Sequence, residues 1–242
     1  MLKEEKWSEK VKLMQEFVNA ANVPKLAHTE FRHISEMTRR LINNSNFNVV
    51  LWTLKILAVL SKGLRRHFYH TVKSQFANVL AKFRDKKTQM VEETFNTLND
   101  FSYCISIEDV VEDVKEGLGD KAPNMKVNLI NWIGKFVEKK VEEKDELPDK
   151  ASDAIRSLFP TFEKLMNDGV ADVRDAMVKN IGKMKILIGE DFFAAMDKKM
   201  TKDQASKAEQ AKKEVPKKLS REKDKKATPV KAEGSKIKGK TV

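Results

Sequence analysis

The sequence predicts an all-α fold: an α-solenoid of about five to six paired-helix repeats with a disordered basic C-terminal tail. Three observations predict it. Apolar residues recur at three- and four-residue spacing from residue 9 to residue 188. Only 9 glycines and 6 prolines occur in 242 residues, too few for the closely spaced turns of a barrel or sandwich. Four short segments, starting at Asn44, Asp85, Asp120 and Asp168, resemble one another and recur at intervals of 41, 35 and 48 residues.

Each helix follows from its own pattern. Residues 9–20 place Val11, Met14, Phe17 and Val18 on one face, and Pro24 ends the element. Residues 29–42 repeat Phe31, Ile34, Met37 and Leu41, with Thr29 suited to the N-cap. Residues 47–61 are apolar almost all round, as a helix buried on most sides requires, and Gly63 stands where a C-terminal cap belongs. Residues 70–83 and 88–101 carry further apolar faces, including Phe76, Phe83, Phe95 and Phe101. Ser106 is placed to cap 107–118, and Pro123 opens 123–138 at a first-turn position where its missing N–H costs nothing. Residues 148–166 contain Pro160, which predicts a kink, and residues 170–188 carry Val173, Met177, Ile181 and Met184. Residues 197–212 read as a fraying Ala/Lys-rich helix, and 213–242 as disordered.

The helices come in pairs, and the corner within each pair begins with Asn or Asp and has an apolar residue five positions on: Val49, Met90, Met125 and Val173. An Asx side chain there can cap the second helix, and the apolar residue anchors its first turn. Two-helix units of roughly this period are the HEAT/armadillo class. Stepping the period back from Asn44 reaches Glu4, which puts Trp7 on the same edge as the four corners.

Charge divides the chain. The formal net charge is +11, and residues 197–242 hold sixteen basic against seven acidic residues, leaving the body close to neutral. No aromatic residue occurs from Thr201 onward. Such a segment cannot bury enough surface to offset its ordering entropy, so the expected division is a helical domain over 1–200 and a basic tail over 201–242. No apolar run reaches the length of a membrane span, and residues 1–6 lack the apolar stretch of a signal peptide. The single cysteine, Cys104, cannot form an internal disulfide, which fits a reducing compartment, the cytosol or nucleus.

Catalytic signals are nearly absent. The chain has no glycine-rich nucleotide loop and no His-Glu-x-x-His. His67 and His70 have the spacing of a metal pair but lack acidic or cysteine partners nearby, and Arg65 and Arg66 would repel a cation. No metal, cofactor or small-molecule substrate is expected, and the chain reads as non-enzymatic. Cys104 lies between Tyr103 and Ile105 and reads as a small buried hydrophobe. Trp52 and Trp132 fall on apolar faces and read as core. Trp7 differs: its neighbours Lys6, Ser8, Glu9 and Lys10 offer little to bury it, so it reads as an exposed anchor for a partner. Lys86, Lys87, Lys121, Lys126 and Arg174 fall at or just after successive corners, and Lys10 takes the equivalent place in the first unit. A row of basic side chains led by a tryptophan suits an acidic protein surface. Nucleic acid is the disfavoured target, because a near-neutral body lacks the broad positive field that phosphate binding needs.

Several runs resemble a known family. Trp7-Ser8-Glu9-Lys10, Pro24-Lys25-Leu26-Ala27, Leu60-Ser61-Lys62-Gly63-Leu64-Arg65, Phe83-Arg84-Asp85-Lys86-Lys87, the Asp120–Lys126 corner and Asp172-Val173-Arg174-Asp175-Ala176 are similar in order and spacing to a TOG domain of the microtubule polymerase family. The resemblance covers roughly residues 5–212. It implies a paddle of HEAT repeats that binds curved αβ-tubulin along its edge of intra-repeat loops. It further implies that Trp7 is the aromatic anchor and that Lys10 stands where arginine is common. Asn46 and Asn48 match the second loop, Lys86 and Lys87 the third, Lys121 and Lys126 the fourth, and Arg174 the fifth. Two departures stand out: only six residues precede Trp7, where the family has a helix, and the sixth repeat looks short and weakly apolar.

The resulting expectation is non-catalytic binding of αβ-tubulin and microtubules in the cytoplasm, at the cytoskeleton, spindle or centrosome. The basic tail would add affinity for the acidic microtubule surface. A HEAT scaffold for another protein, in transport or at the centrosome, is the alternative.

Overall fold

The computed structural model describes residues 6–27, 31–144 and 148–214. Among them the secondary structure is helical throughout, with short 3-10 turns and no strand. The helices are α1 Trp7–Ala21, α2 Arg32–Leu41, α3 Phe47–Leu64, α4 Tyr69–Leu80, α5 Thr88–Phe101, α6 Val111–Leu118, α7 Pro123–Lys144, α8 Asp149–Ser157, α9 Phe159–Met166, α10 Ala171–Ile188, α11 Ala194–Asp197 and α12 Lys202–Lys212. They stack in two layers. One layer runs α1, α3, α5, α7, α10, α12, each packed on the next, and the other carries α2, α4, α6, the α8–α9 pair and α11. Five helix pairs therefore follow α1 among the described residues.

Helices within the first layer run in the same direction. Lys55 pairs with Glu93 and Lys62 with Asp100, the same offset seven residues apart, which only parallel α3 and α5 allow. Leu13 and Met14 share a groove with Ile56, and Val18 and Asn22 share one with Val59 and Lys62, so α1 follows the same direction. The corners consequently lie along one edge, with the start of α1 at its head.

Helix α3 is enclosed as its composition requires: Leu54, Leu57 and Leu60 are fully buried, each contributing about 2 kcal/mol of transfer free energy. The stretch Phe47–Arg84 does contain a window apolar enough to cross a bilayer by length and composition, which the run-length reading missed. That window is 72% buried inside the protein, so its apolar surface is already covered by neighbouring helices. Phe76, Trp132 and Phe136 form a chain of rings with centroids about 6 Å apart that joins α4 to α7. Trp132 is core, while Trp52 is only partly buried, with Lys55 Nζ 4.4 Å above its ring.

Several local expectations need correction. Gly63 is not a cap but lies inside α3, where a Cβ would meet Leu26 Cδ1 at 2.6 Å. Its lack of a side chain lets the α1–α2 connection cross close to α3, and Leu26 N–H donates to the Gly63 carbonyl at 3.0 Å. The C-cap is Arg65, at φ 50°. Residues 148–166 do more than kink: they split into α8 and α9, with Pro160 in the first turn of the second. The Ser106 cap is a full capping box with Asp109, over a 3-10 turn that leads into α6. Residues 202–212 do not fray. Thr201 and Gln204 form a capping box, and α12 packs on α10 through Ala208 and Ala211, so the packed body extends past residue 200. The Thr29 cap and the tail from 215 to 242 lie outside the described residues.

Candidate functional site

All four corners share one device. The side-chain Oδ1 of Asn44 accepts from the Asn46 N–H at 2.8 Å, that of Asp85 from Lys87 at 2.8 Å, that of Asp120 from Ala122 at 2.8 Å and that of Asp168 from Val170 at 2.9 Å. These are Asx turns, which brace the loop two residues on. The expected capping of the second helix is thereby corrected: only Asn46 caps, accepting from Asn48 and Val49 N–H at 2.9 and 3.3 Å. The apolar anchors five residues on, Val49, Met90, Met125 and Val173, are all buried. A rigid loop followed by an anchored first turn fixes where each exposed corner side chain points.

Ion pairs tie successive corners together. Arg84 reaches forward to Asp120, with Nε and Nη2 at 2.9 and 2.5 Å from Oδ2. Lys126 Nζ reaches forward to Asp168 Oδ2 at 2.7 Å. The Arg84 guanidinium holds the Asp120 carboxyl below the usual carboxylate range, and the Lys126 ammonium, followed by the Val170 N–H, does the same for Asp168. Arg174 Nη1 donates to the Asp168 carbonyl at 2.6 Å.

The candidate residues accordingly divide into two sets. Trp7 is 53% exposed in the first turn of α1. Lys86, Lys87 and Lys121 are exposed on their corners, and Lys87 Nζ sits 4.2 Å above the ring of Phe47, a residue of the preceding corner. These side chains face solvent along the edge. By contrast, Asn46 is occupied as a cap, Asn48 is half-buried, and Lys10 is half-buried against the groove with Leu13 and Met14. Lys126 and Arg174 are both bound to Asp168. The sequence reading placed Asp120 and Asp168 at the corners but missed their ion pairs with Arg84 and Lys126, since this pairing depends on the spacing between repeats.

Among the described residues, no group of His, Cys, Asp or Glu is placed to hold a metal ion. Burial pushes the Cys104 thiol up to about 11, which keeps it protonated and unsuited to nucleophilic work.

No protein-family model matches the chain. Two relatives called "Protein MOR1" are similar: the one from Oryza sativa subsp. japonica is 28% identical over 192 residues, and the one from Arabidopsis thaliana 27% over 190. In each case the match takes in 78% of this chain and 9% of the relative, so the chain spans about a tenth of their length. A solved structure from work on tubulin recruitment by microtubule polymerases with TOG domain arrays superposes with TM-score 0.75 at 18% identity, covering 88% of this chain and 45% of that one. Mini spindles TOG3 of Drosophila melanogaster superposes with TM-score 0.66 at 16% identity, covering 88% and 90%. The chain shares the fold of these TOG domains. In this TOG fold the corner row is the edge of intra-repeat loops, and the exposed set of Trp7, Lys86, Lys87 and Lys121 lies along it.

Proposed function

We propose that the corner edge of this TOG-type chain binds unpolymerised αβ-tubulin, without catalysis, in support of microtubule growth or organisation. The observation that carries this reading is the exposure of Trp7 at the head of a row of exposed corner lysines. A tryptophan that is more than half exposed to solvent fits a hot-spot anchor, and the lysines would steer an acidic partner into register. Tighter binding to one tubulin conformation than to the lattice form would let the protein deliver tubulin and let go, because only differential affinity shifts such an equilibrium. The basic segment beyond residue 214 would raise local concentration on the acidic microtubule surface. The cytoplasmic microtubule cytoskeleton, at the spindle or centrosome, is the corresponding location. Relatives named "Centrosomal protein 224" and "Spindle pole body component alp14" support it.

Gel filtration of the full chain with αβ-tubulin tests the reading. The wild type should co-elute with tubulin. A Trp7→Ala/Lys86→Ala/Lys121→Ala variant touches only exposed side chains, and it should bind at least about tenfold more weakly. A folded wild type that fails to co-elute would overturn the proposal.

A further inference from the structure

The opposite end of α3 carries a second feature that the corner edge does not use. A cleft of about 800 Å³ opens between the α1–α2 connection and the end of α3. Leu26 and Leu64 line it, and Lys25, Arg65, Arg66 and His67 surround them, with no carboxylate among the described lining residues. Lys25, Arg65, Arg66 and His67 are all exposed. Three permanent positive charges and an imidazole thus converge on one apolar-floored slot. The body of the chain is otherwise nearly neutral, so this concentration of charge is local.

The backbone contributes a second observation. Arg65 sits at φ 50° and ψ −128°, the one non-glycine residue with positive φ among the described residues. A side chain there costs conformational energy that glycine would avoid, and the rim nonetheless carries an arginine. Its guanidinium lies 5.8 Å from the Tyr103 ring. The crossing of Leu26 over Gly63 holds both walls together through the 3.0 Å backbone hydrogen bond.

We propose that this cleft is a docking site for an extended acidic peptide segment of a partner protein. Guanidinium forks match carboxylates in a planar, two-bonded geometry, so Arg65 and Arg66 would take glutamate or aspartate side chains. The half-buried Leu26 would take one small apolar side chain. This apolar floor, and the lack of an aromatic ring for base stacking among the described lining residues, favour a peptide over nucleic acid. Helix α3 has 18 residues and is about 27 Å long at 1.5 Å per residue, so an acidic segment here would leave the corner edge free. The site stands independently of the tubulin reading.

The test uses the full chain and a fluorescein-labelled peptide of six glutamates with a central photo-reactive leucine, read by anisotropy at about 50 mM salt, where surface charges are weakly screened. Saturable binding is expected for the wild type. Lys25→Glu/Arg66→Glu should weaken it by about tenfold or more, and the milder Arg66→Gln by about threefold. Trp7→Ala should leave it unchanged. Because the basic segment beyond residue 214 is common to all variants, differences between them report the cleft. Irradiation should cross-link the peptide to residues 24–27 and 63–67. Equal affinity in wild type and in folded Arg66→Gln, or cross-links confined to 215–242, would overturn the proposal. So would a labelled oligothymidine that displaces the peptide and loses affinity in the same variants.

Discussion

Lys126 Nζ and Asp168 Oδ2 lie 2.7 Å apart, and the two residues belong to neighbouring corners of the TOG edge. The pair converts a row of separate loops into a linked one, because Asp168 also braces Val170 through its side chain and receives Arg174 at its carbonyl. Two of the basic residues that the family resemblance assigns to the partner therefore hold the fifth corner in place. On the proposed tubulin reading, their substitution would weaken binding through the loop as well as through charge.

The pair makes an acid-dependent contribution with a definite sign. The folded-state carboxyl of Asp168 is held below its ordinary value of 3.8 by Lys126, so its stabilisation is complete above that value and is lost as pH falls through the lower folded one. Asp168→Asn keeps an oxygen for the Val170 turn and removes only the charge. The variant should be less stable than wild type by about 0.5–1 kcal/mol between pH 5 and 7, and the gap should narrow progressively as pH falls below about 4. Burial raises the Glu93 and Asp100 carboxyls, which act in the opposite direction. The wild-type pH profile alone therefore mixes the two. Denaturant melts of both proteins across pH isolate the Asp168 part, and a gap that persists unchanged at pH 3 would refute the ion-pair account.

Much of the fold was legible because its determinants are local. The spacing of Val11, Met14, Phe17 and Val18, or of Val173, Met177 and Ile181, is enough to place a helix face. The corners were legible because an Asx residue and a buried anchor recur at a fixed separation of five. The exposure of Trp7 was legible because its sequence neighbours are mostly charged. The missing parts depended on contacts between distant residues. Gly63 looks like a cap until Leu26 is known to cross it, and Lys126 looks free until Asp168, 42 residues away, is brought alongside. Helix α12 looked weak because sequence patterns weigh apolar bulk, whereas this helix docks by close approach of Ala208 and Ala211.

That close approach is open to a single-atom test. A Cβ on Gly182 would stand 2.2 Å from the Ala208 carbonyl oxygen and 2.9 Å from its Cα, and both are backbone atoms that cannot rotate aside. Gly→Ala inside a helix ordinarily stabilises by about 1 kcal/mol. Here overpacking should outweigh that gain, for a net loss of about 1–2 kcal/mol. The loss should be concentrated in α12, which Gln204 to the Met166 carbonyl and Lys207 to Asp175 otherwise hold at 2.8 and 2.9 Å. Limited proteolysis of Gly182→Ala should cut within 202–212 faster than in wild type. Unchanged cleavage together with a raised melting temperature would show that α12 does not seat on α10 in this way.

The thiol of Cys104 gives a direct probe of the core between α5 and α6. Burial pushes its pKa up to about 11, and its S–H lies 3.5 Å from the Ser61 carbonyl. At pH 8 a free cysteine is partly thiolate, so the unfolded chain should react readily with a disulfide reagent while the native chain stays nearly inert. The native rate should track local opening of this region. Stoichiometric labelling of the native protein within the mixing time would contradict the burial of this residue.

The backbone of Arg65 separates strain from contact. At φ 50° the residue pays for a Cβ in a glycine-favoured region, while its N–H still donates to the Ser61 carbonyl as the cap of α3. Arg65→Gly removes the Cβ and keeps that hydrogen bond. Relief of strain, of about 1–3 kcal/mol, is set against the greater freedom that glycine gives the unfolded chain, about 0.5–1 kcal/mol. A net stabilisation of about 1 kcal/mol should follow, raising the melting temperature by about 2–4 °C. Arg65→Ala loses the same guanidinium and the same contact with Tyr103 but retains the Cβ, so it should gain nothing and fall slightly below wild type. Thermal melts followed by helical ellipticity compare the three proteins. Equal melting temperatures for the glycine and alanine variants would mean that the side chain, and not the backbone geometry, sets the energetics at this end of α3.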